Sequence, residues 1–157
     1  MKKMKVPILV FTDLDGTLLD HRTYSFEPAR PALRLLRESG IPLIICTSKT
    51  RAEVEQIRAA LDNSDPFVVE NGAAVFIPKG PLSVDLRGSK KTSEYLVVEL
   101  GTSYSRILDV FSRMKKTLPG RLRGFSDMSV EEVARITGLS VEEAARAKMR
   151  EYDEPFV

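Results

Sequence analysis

The sequence predicts an α/β fold: a Rossmann-like parallel sheet followed by an α+β segment. Three observations carry that expectation. Two near-continuous apolar runs, Lys5–Thr12 and Ile41–Thr47, have strand length and read as strands buried on both faces. A segment with helical spacing follows each run. Polar residues close each strand: Asp13 and Asp15 the first, Thr47 and Ser48 the second, and Glu70, Asn71 and Gly72 a third, short strand in "FVVENG".

The elements follow in order. After the first strand, "RPALRLLRESG" sets Leu33, Leu36 and Arg37 at helical spacing, with Pro28 and Pro31 near the first turn and Gly40 past the end. After the second strand, Thr50 and Glu53 form a capping box that opens a helix through Leu61. Residues 62–66 are a loop. This strand, helix, strand, helix, strand order makes two βαβ units, which are right-handed and parallel in nearly all proteins. The stretch Ile77–Lys91 is rich in Pro, Gly, Ser and Lys and reads as a boundary. It divides the chain into a first part, 1–80, and a second, 81–157. In the second part "EYLVVELG" is a strand, and Ile107, Leu108, Phe111 and Met114 mark one face of a helix. Two further capping boxes, Ser129 with Glu132 and Ser140 with Glu143, open short helices separated by Gly138.

Composition narrows the classes. The 157 residues carry 24 basic and 22 acidic side chains, a formal net charge of +2, so nothing argues for nucleic acid or an anionic membrane as partner. The apolar part of "MKKMKVPILVF" is too short for a signal peptide, and no apolar stretch approaches the length of a membrane span. The expected location is cytoplasmic. The single cysteine, Cys46, reads as a small buried hydrophobe.

Asp13 and Asp15 pose the chemical question, because neighbouring carboxylates repel. In an open α/β sheet, ligands gather beyond the carboxyl ends of the strands, and parallel pairing brings all three polar endings to that edge. Mg²⁺ there would neutralise the carboxylates and meet a phosphate. The Thr47 hydroxyl and the backbone N–H groups of Ser48 and Lys49, at a helix N-terminus, would donate to phosphate oxygens. Asp-x-Asp-Gly also reads as a plain turn. A calcium loop counted from Asp13 would need Gly and Glu where Leu18 and Tyr24 stand.

"DLDGTLLD" resembles the first motif of the haloacid dehalogenase-type phosphatases, and "LIICTSKT" their second. "TSKTRAEVE", "VVENGAAVFIP" and "RGFSDMSVEEVARITGLSVEEAARAKMREYDEPF" resemble the mannosyl-3-phosphoglycerate phosphatase branch. The resemblance implies an α/β core and an α+β cap. It makes Asp13 the nucleophile and Asp15 the general acid and base, with Mg²⁺ on Asp13 and on the main-chain carbonyl of Asp15. Thr47 and Ser48 would bind the phosphoryl group, and Lys49 and Asn71 the phosphoglycerate part of the substrate. Mannosyl-3-phosphoglycerate is the implied substrate, with glucosyl-3-phosphoglycerate or another sugar phosphate as alternatives.

The family's third motif, a lysine, and its fourth, an acidic pair near Gly-Asp, have no counterpart here; "GFSDMS" matches the family's cap instead. The expectation is an amino-terminal part of a longer enzyme, with an incomplete core sheet, weak Mg²⁺ binding and slow turnover. Exposed apolar edges would then favour self-association or a complementary carboxy-terminal half. A non-catalytic sugar-phosphate binder is the competing reading. "SVEEVARITGLSVEEAARAK" also has the outline of a helix-turn-helix, but Glu142 and Glu143 would meet phosphates at the reading end. His21 reads as a loop residue.

Overall fold

The computed structural model describes residues 8–79, 86 and 88–157. One mixed sheet organises them. Its strands are β1 (Val10–Thr12), β2 (Leu43–Cys46), β3 (Phe67–Val69), β4 (Ala74–Pro78), β5 (Lys90–Lys91) and β6 (Tyr95–Glu99), in the order β1-β2-β3-β4-β6-β5. β1, β2 and β3 run parallel, with Thr12 opposite Ile45 and Cys46 opposite Val68. The helices α1 (Arg30–Glu38) and α2 (Arg51–Leu61) make the two crossovers. α3 (Tyr104–Thr117), α4 (Val130–Thr137) and α5 (Val141–Ala147) follow β6.

Local chemistry fixes these boundaries. Pro31 sits in the first turn of α1, behind a 3₁₀ turn at Glu27–Ala29 that holds Pro28, and Gly40 takes a φ of +62° just past the helix end. Glu53 N–H donates to Thr50 Oγ1 at 3.2 Å while Thr50 N–H donates to Glu53 Oε2 at 2.9 Å, so α2 caps itself. The same reciprocal pair opens α4 at Ser129 and α5 at Ser140, and Gly138 ends α4 at a φ of +77°.

The structure departs from the sequence reading at the sheet. The sequence reads β1 as buried on both faces, yet among the described residues it is an edge strand with β2 as its one neighbour. Phe11 is 62% exposed, and Ile8 and Leu9 before it are exposed too. Residues 5–7 of the expected strand lie outside the described residues.

β4 and β5 are additions. Asn71 and Gly72, both at positive φ, turn β3 back into β4 antiparallel, with Val68 opposite Val75. β5 lies inside the stretch read as a boundary, of which residues 80–85 and 87 lie outside the described residues. β6, from the second part, pairs antiparallel with β4 along its length.

Two apolar clusters hold these elements. The first lies on the sheet and includes Leu14, Ile45, Val54, Phe67, Phe76 and Val97. In it Phe67 stacks on Phe76 at 5.2 Å between ring centroids, and Tyr95 meets both edge-on. The second joins Phe125 and Met128 to Val133 of α4 and Ala144 and Ala147 of α5.

Gly101 marks a close approach of backbones. A Cβ there would stand 2.7 Å from Ala73 Cβ and 3.2 Å from Ala73 Cα, while its N–H donates to Ala73 O at 2.8 Å. Gly101→Ala is expected to destabilise the fold by about 1–3 kcal/mol through overpacking. Thermal melting checks this; an unchanged midpoint contradicts the close approach.

Candidate active site

The polar strand endings meet at one edge of the sheet. β1 delivers Asp13 one residue after Thr12, which faces Ile45, so Asp13 falls beside Cys46 at the end of β2. Burial and the negative charge of Asp13 both push the Cys46 thiol up from its ordinary value. Asp13 is exposed, and its own carbonyl accepts from Thr12 Oγ1 at 2.8 Å and Leu18 N–H at 3.3 Å. The chain then curls tightly: Gly16 takes a φ of +72°, and Gly16 N–H reaches Leu19 O at 3.1 Å. That curl leaves Asp15 exposed while Leu14 and Leu19 enter the core.

The other endings are stitched together by backbone bonds. Asn71 N–H donates to Thr47 O at 3.1 Å, and Glu70 N–H to Lys49 O at 3.1 Å. Thr47 is 5% exposed. Its Oγ1 accepts from Lys49 N–H at 3.3 Å, so its proton remains available to an oxyanion. Asn71 and Ser48 are exposed beside this seam.

The expected pair of helix-end donors needs correction. Ser48 and Lys49 precede the Thr50 cap rather than opening α2. The Lys49 N–H turns onto Thr47, so of these two amides Ser48 N–H is the one with no partner among the described residues. The Lys49 side chain is held in the fold. It is 16% exposed, its ammonium 3.1 Å from Asp15 Oδ2 and 3.8 Å from Glu53 Oε1.

Glu70 turns into the protein rather than toward the exposed strand ends. It is 2% exposed. Its carboxylate accepts from three successive backbone N–H groups: Glu151 at 3.0 Å, Tyr152 at 2.7 Å and Asp153 at 2.9 Å. Burial pushes its carboxyl up, against the pull of those amides. This staple draws residues 151–153 onto the third strand ending and brings their neighbours to the second. Arg150 Nη1 there donates to Ser48 O at 2.9 Å, Arg51 pairs with Glu151 at 2.8 Å, and Thr50 Oγ1 donates to Arg146 O at 3.0 Å. A carboxylate at the end of an apolar run, followed by Asn-Gly, is the available signal; its partner lies 81 residues away and no local pattern reports it.

Among the described residues, no group of three or more His, Cys, Asp and Glu side chains is placed to hold a metal ion. Two oxygens still suit a hard divalent ion: the exposed Asp13 carboxylate, and the Asp15 main-chain carbonyl, which accepts no hydrogen bond among the described residues. Mg²⁺ binds through one or two protein carboxylates and fills its shell with water and phosphate, so the residues fit it. No helix of the described residues is long and apolar enough to cross a membrane.

The Asp13–Cys46 proximity is open to test. Asp13→Asn removes one of two causes holding the thiol protonated, so Cys46 is expected to alkylate faster at a given pH, its pH–rate curve moving to lower pH. An unmoved curve contradicts the proximity.

A parallel three-strand unit with an Asp-x-Asp-Gly curl beside a threonine-ended strand defines a class. The family model for haloacid dehalogenase-like hydrolases matches residues 10–105, and the chain belongs to that family. It is 51% identical over 148 residues to glucosyl-3-phosphoglycerate/mannosyl-3-phosphoglycerate phosphatase of Methanococcoides burtonii, covering 94% of this chain and 54% of that one. It is 36% identical over 146 residues to mannosyl-3-phosphoglycerate phosphatase of Pyrococcus horikoshii, covering 93% of this chain and 58% of that one. The chain thus spans about half the length of these curated relatives. Among solved structures, a phosphatase of the same superfamily from Bacteroides thetaiotaomicron superposes with a TM-score of 0.58 at 18% identity, over 90% of this chain and 50% of that one. That likeness speaks to the fold alone.

Proposed function

We propose that this chain carries the nucleophile and phosphate-binding half of a Mg²⁺-dependent phosphomonoesterase acting on mannosyl-3-phosphoglycerate, with the glucosyl compound as a second substrate. The observation that carries the reading is the stitching of the second and third strand endings, Thr47 to Asn71 and Lys49 to Glu70, beside Asp13. The names of the relatives support the sugar; the arrangement of side chains supports the phosphate.

The steps use this chain's own groups. A carboxylate oxygen of Asp13 attacks phosphorus, and the bond from phosphorus to the glycerate oxygen breaks. Asp15, protonated at that moment, gives its proton to the departing oxygen. The phosphoryl group is left on Asp13 as an acyl phosphate, one hard step split in two. Asp15 then takes a proton from water as the water oxygen attacks phosphorus, and the bond to Asp13 breaks. Thr47 Oγ1 and Ser48 N–H hold the phosphoryl oxygens throughout. A bound Mg²⁺ would supply charge neutralisation between Asp13 and the phosphate. Lys49 exchanges its Asp15 contact for the substrate carboxylate, and Asn71 faces the same part of the substrate. The part of residues 81–157 that follows β6 acts as the cap that encloses it.

The test is phosphate release from both glycosyl-3-phosphoglycerates with Mg²⁺ and with the metal chelated. Release that needs Mg²⁺ is expected. Release that persists at the same rate with chelator contradicts the metal's role, and no release from either compound contradicts the proposal.

A further inference from the structure

A cavity of about 580 Å³ adjoins Lys49. It lies between residues 19–26, α2, and the turn joining α4 to α5. Lys49 links it to the candidate active site: the ammonium stands 3.1 Å from Asp15 Oδ2 and 5.9 Å from the ring centroid of Tyr24, which lines the cavity.

Three features of its walls point to one ligand chemistry. Tyr24 is 57% exposed and held at a φ of +53°, a backbone region that non-glycine residues rarely adopt and that gathers at ligand sites. The hold is specific. Tyr24 N–H donates to Asp20 O at 2.9 Å, and the Asp20 carboxylate gathers the amides of Arg22 and Thr23. Second, the Arg146 guanidinium has no hydrogen bond or ion pair among the described residues, although its carbonyl is bonded to Thr50. The two acids of the walls are already engaged, Glu53 and Glu143 each closing its own capping box. Third, Leu19, Phe26 and Ile57 give the cavity an apolar side.

A hexose has C–H faces that lie on aromatic and apolar surface, and hydroxyl edges that suit planar polar groups. A cavity with an apolar wall and a few convergent polar groups, in the ordinary size range for small ligands, offers both. We infer that this cavity is the glycosyl subsite, with Tyr24 as the ring against which the sugar lies and Arg146 as the donor to its hydroxyls. The inference rests on the proposed function and extends it. The phosphate sits at Asp13 and Thr47, the glycerate carboxylate at Lys49, and the sugar beyond Lys49 against Tyr24.

The experiment needs no turnover. Isotope-labelled protein is titrated with mannosylglycerate, the unphosphorylated glycoside, while amide shifts are followed by NMR. Shifts are expected at residues 23–26, 56–57 and 138–139. Tyr24→Ala and Arg146→Ala are each expected to weaken binding by about tenfold. Tyr24→Phe keeps the ring and is expected to bind within about twofold of the parent. Shifts confined to other surfaces, alanine variants that bind as the parent does, or a Tyr24→Phe loss equal to that of Tyr24→Ala would each overturn the subsite. A separate titration with inorganic phosphate reads the Ser48 amide. Its silence beside intact glycoside binding would count against the phosphatase reading and leave the subsite standing.

Discussion

The Asp13→Asn variant is expected to lose phosphate release by at least about a thousandfold. The reason is chemical rather than structural. An amide oxygen is a poor nucleophile toward phosphorus, and asparagine has nearly the size of aspartate. The fold has little cause to respond. Asp13 is exposed, and the bonds it makes to Thr12 and Leu18 use its main-chain carbonyl, which the substitution keeps. The expected result is therefore a lost rate with an unchanged melting midpoint. Assaying parent and variant together with Mg²⁺, with melting curves on the same samples, separates the two. Activity that survives removes Asp13 from the nucleophile's role.

The second large effect belongs to Glu70. Glu70→Ala is expected to destabilise the protein by about 3 kcal/mol or more, because it strands backbone donors that have no other partner among the described residues. Glu151, Tyr152 and Asp153 all give their N–H groups to that one carboxylate. Tyr152 is itself part of the main core, so the loss is not confined to a surface loop. For a chain of this size the midpoint should fall by roughly 6–12 °C. Glu70→Gln keeps one acceptor oxygen and should fall between parent and alanine variant. Differential scanning calorimetry checks the order; an alanine variant that melts with the parent would show that the staple contributes nothing.

Local patterns reported much of this molecule. The three capping boxes, Thr50 with Glu53, Ser129 with Glu132 and Ser140 with Glu143, stand where the sequence puts them, because each uses atoms three residues apart. The parallel pairing of the first three strands also follows from the strand and helix order. β4 went unread although Asn71-Gly72 between apolar runs is a hairpin signal, and β5 is two lysines whose pairing depends on β6. β1 differed for a non-local reason. An apolar run states what a strand prefers to face, while its exposure depends on which neighbours the sheet supplies.

The candidate site divides along the same line. Asp13, Asp15 and Thr47 are legible from motif and strand end. That Lys49 turns to Asp15, that its amide serves Thr47, and that Glu70 staples residues 151–153 all depend on pieces brought together by folding. Arg150, which reaches the Ser48 carbonyl 102 residues away, has no sequence signature at all.

Catching the phosphoryl group on its acceptor identifies the nucleophile outright. Protein mixed with mannosyl-3-phosphoglycerate and Mg²⁺ is quenched in acid, reduced with borohydride and mapped by mass spectrometry. Homoserine, the reduction product of an aspartyl phosphate, is expected at position 13, with no such product from Asp13→Asn. A phosphoryl group found on Asp15 or Ser48, or phosphate released with no modification at position 13, would contradict it.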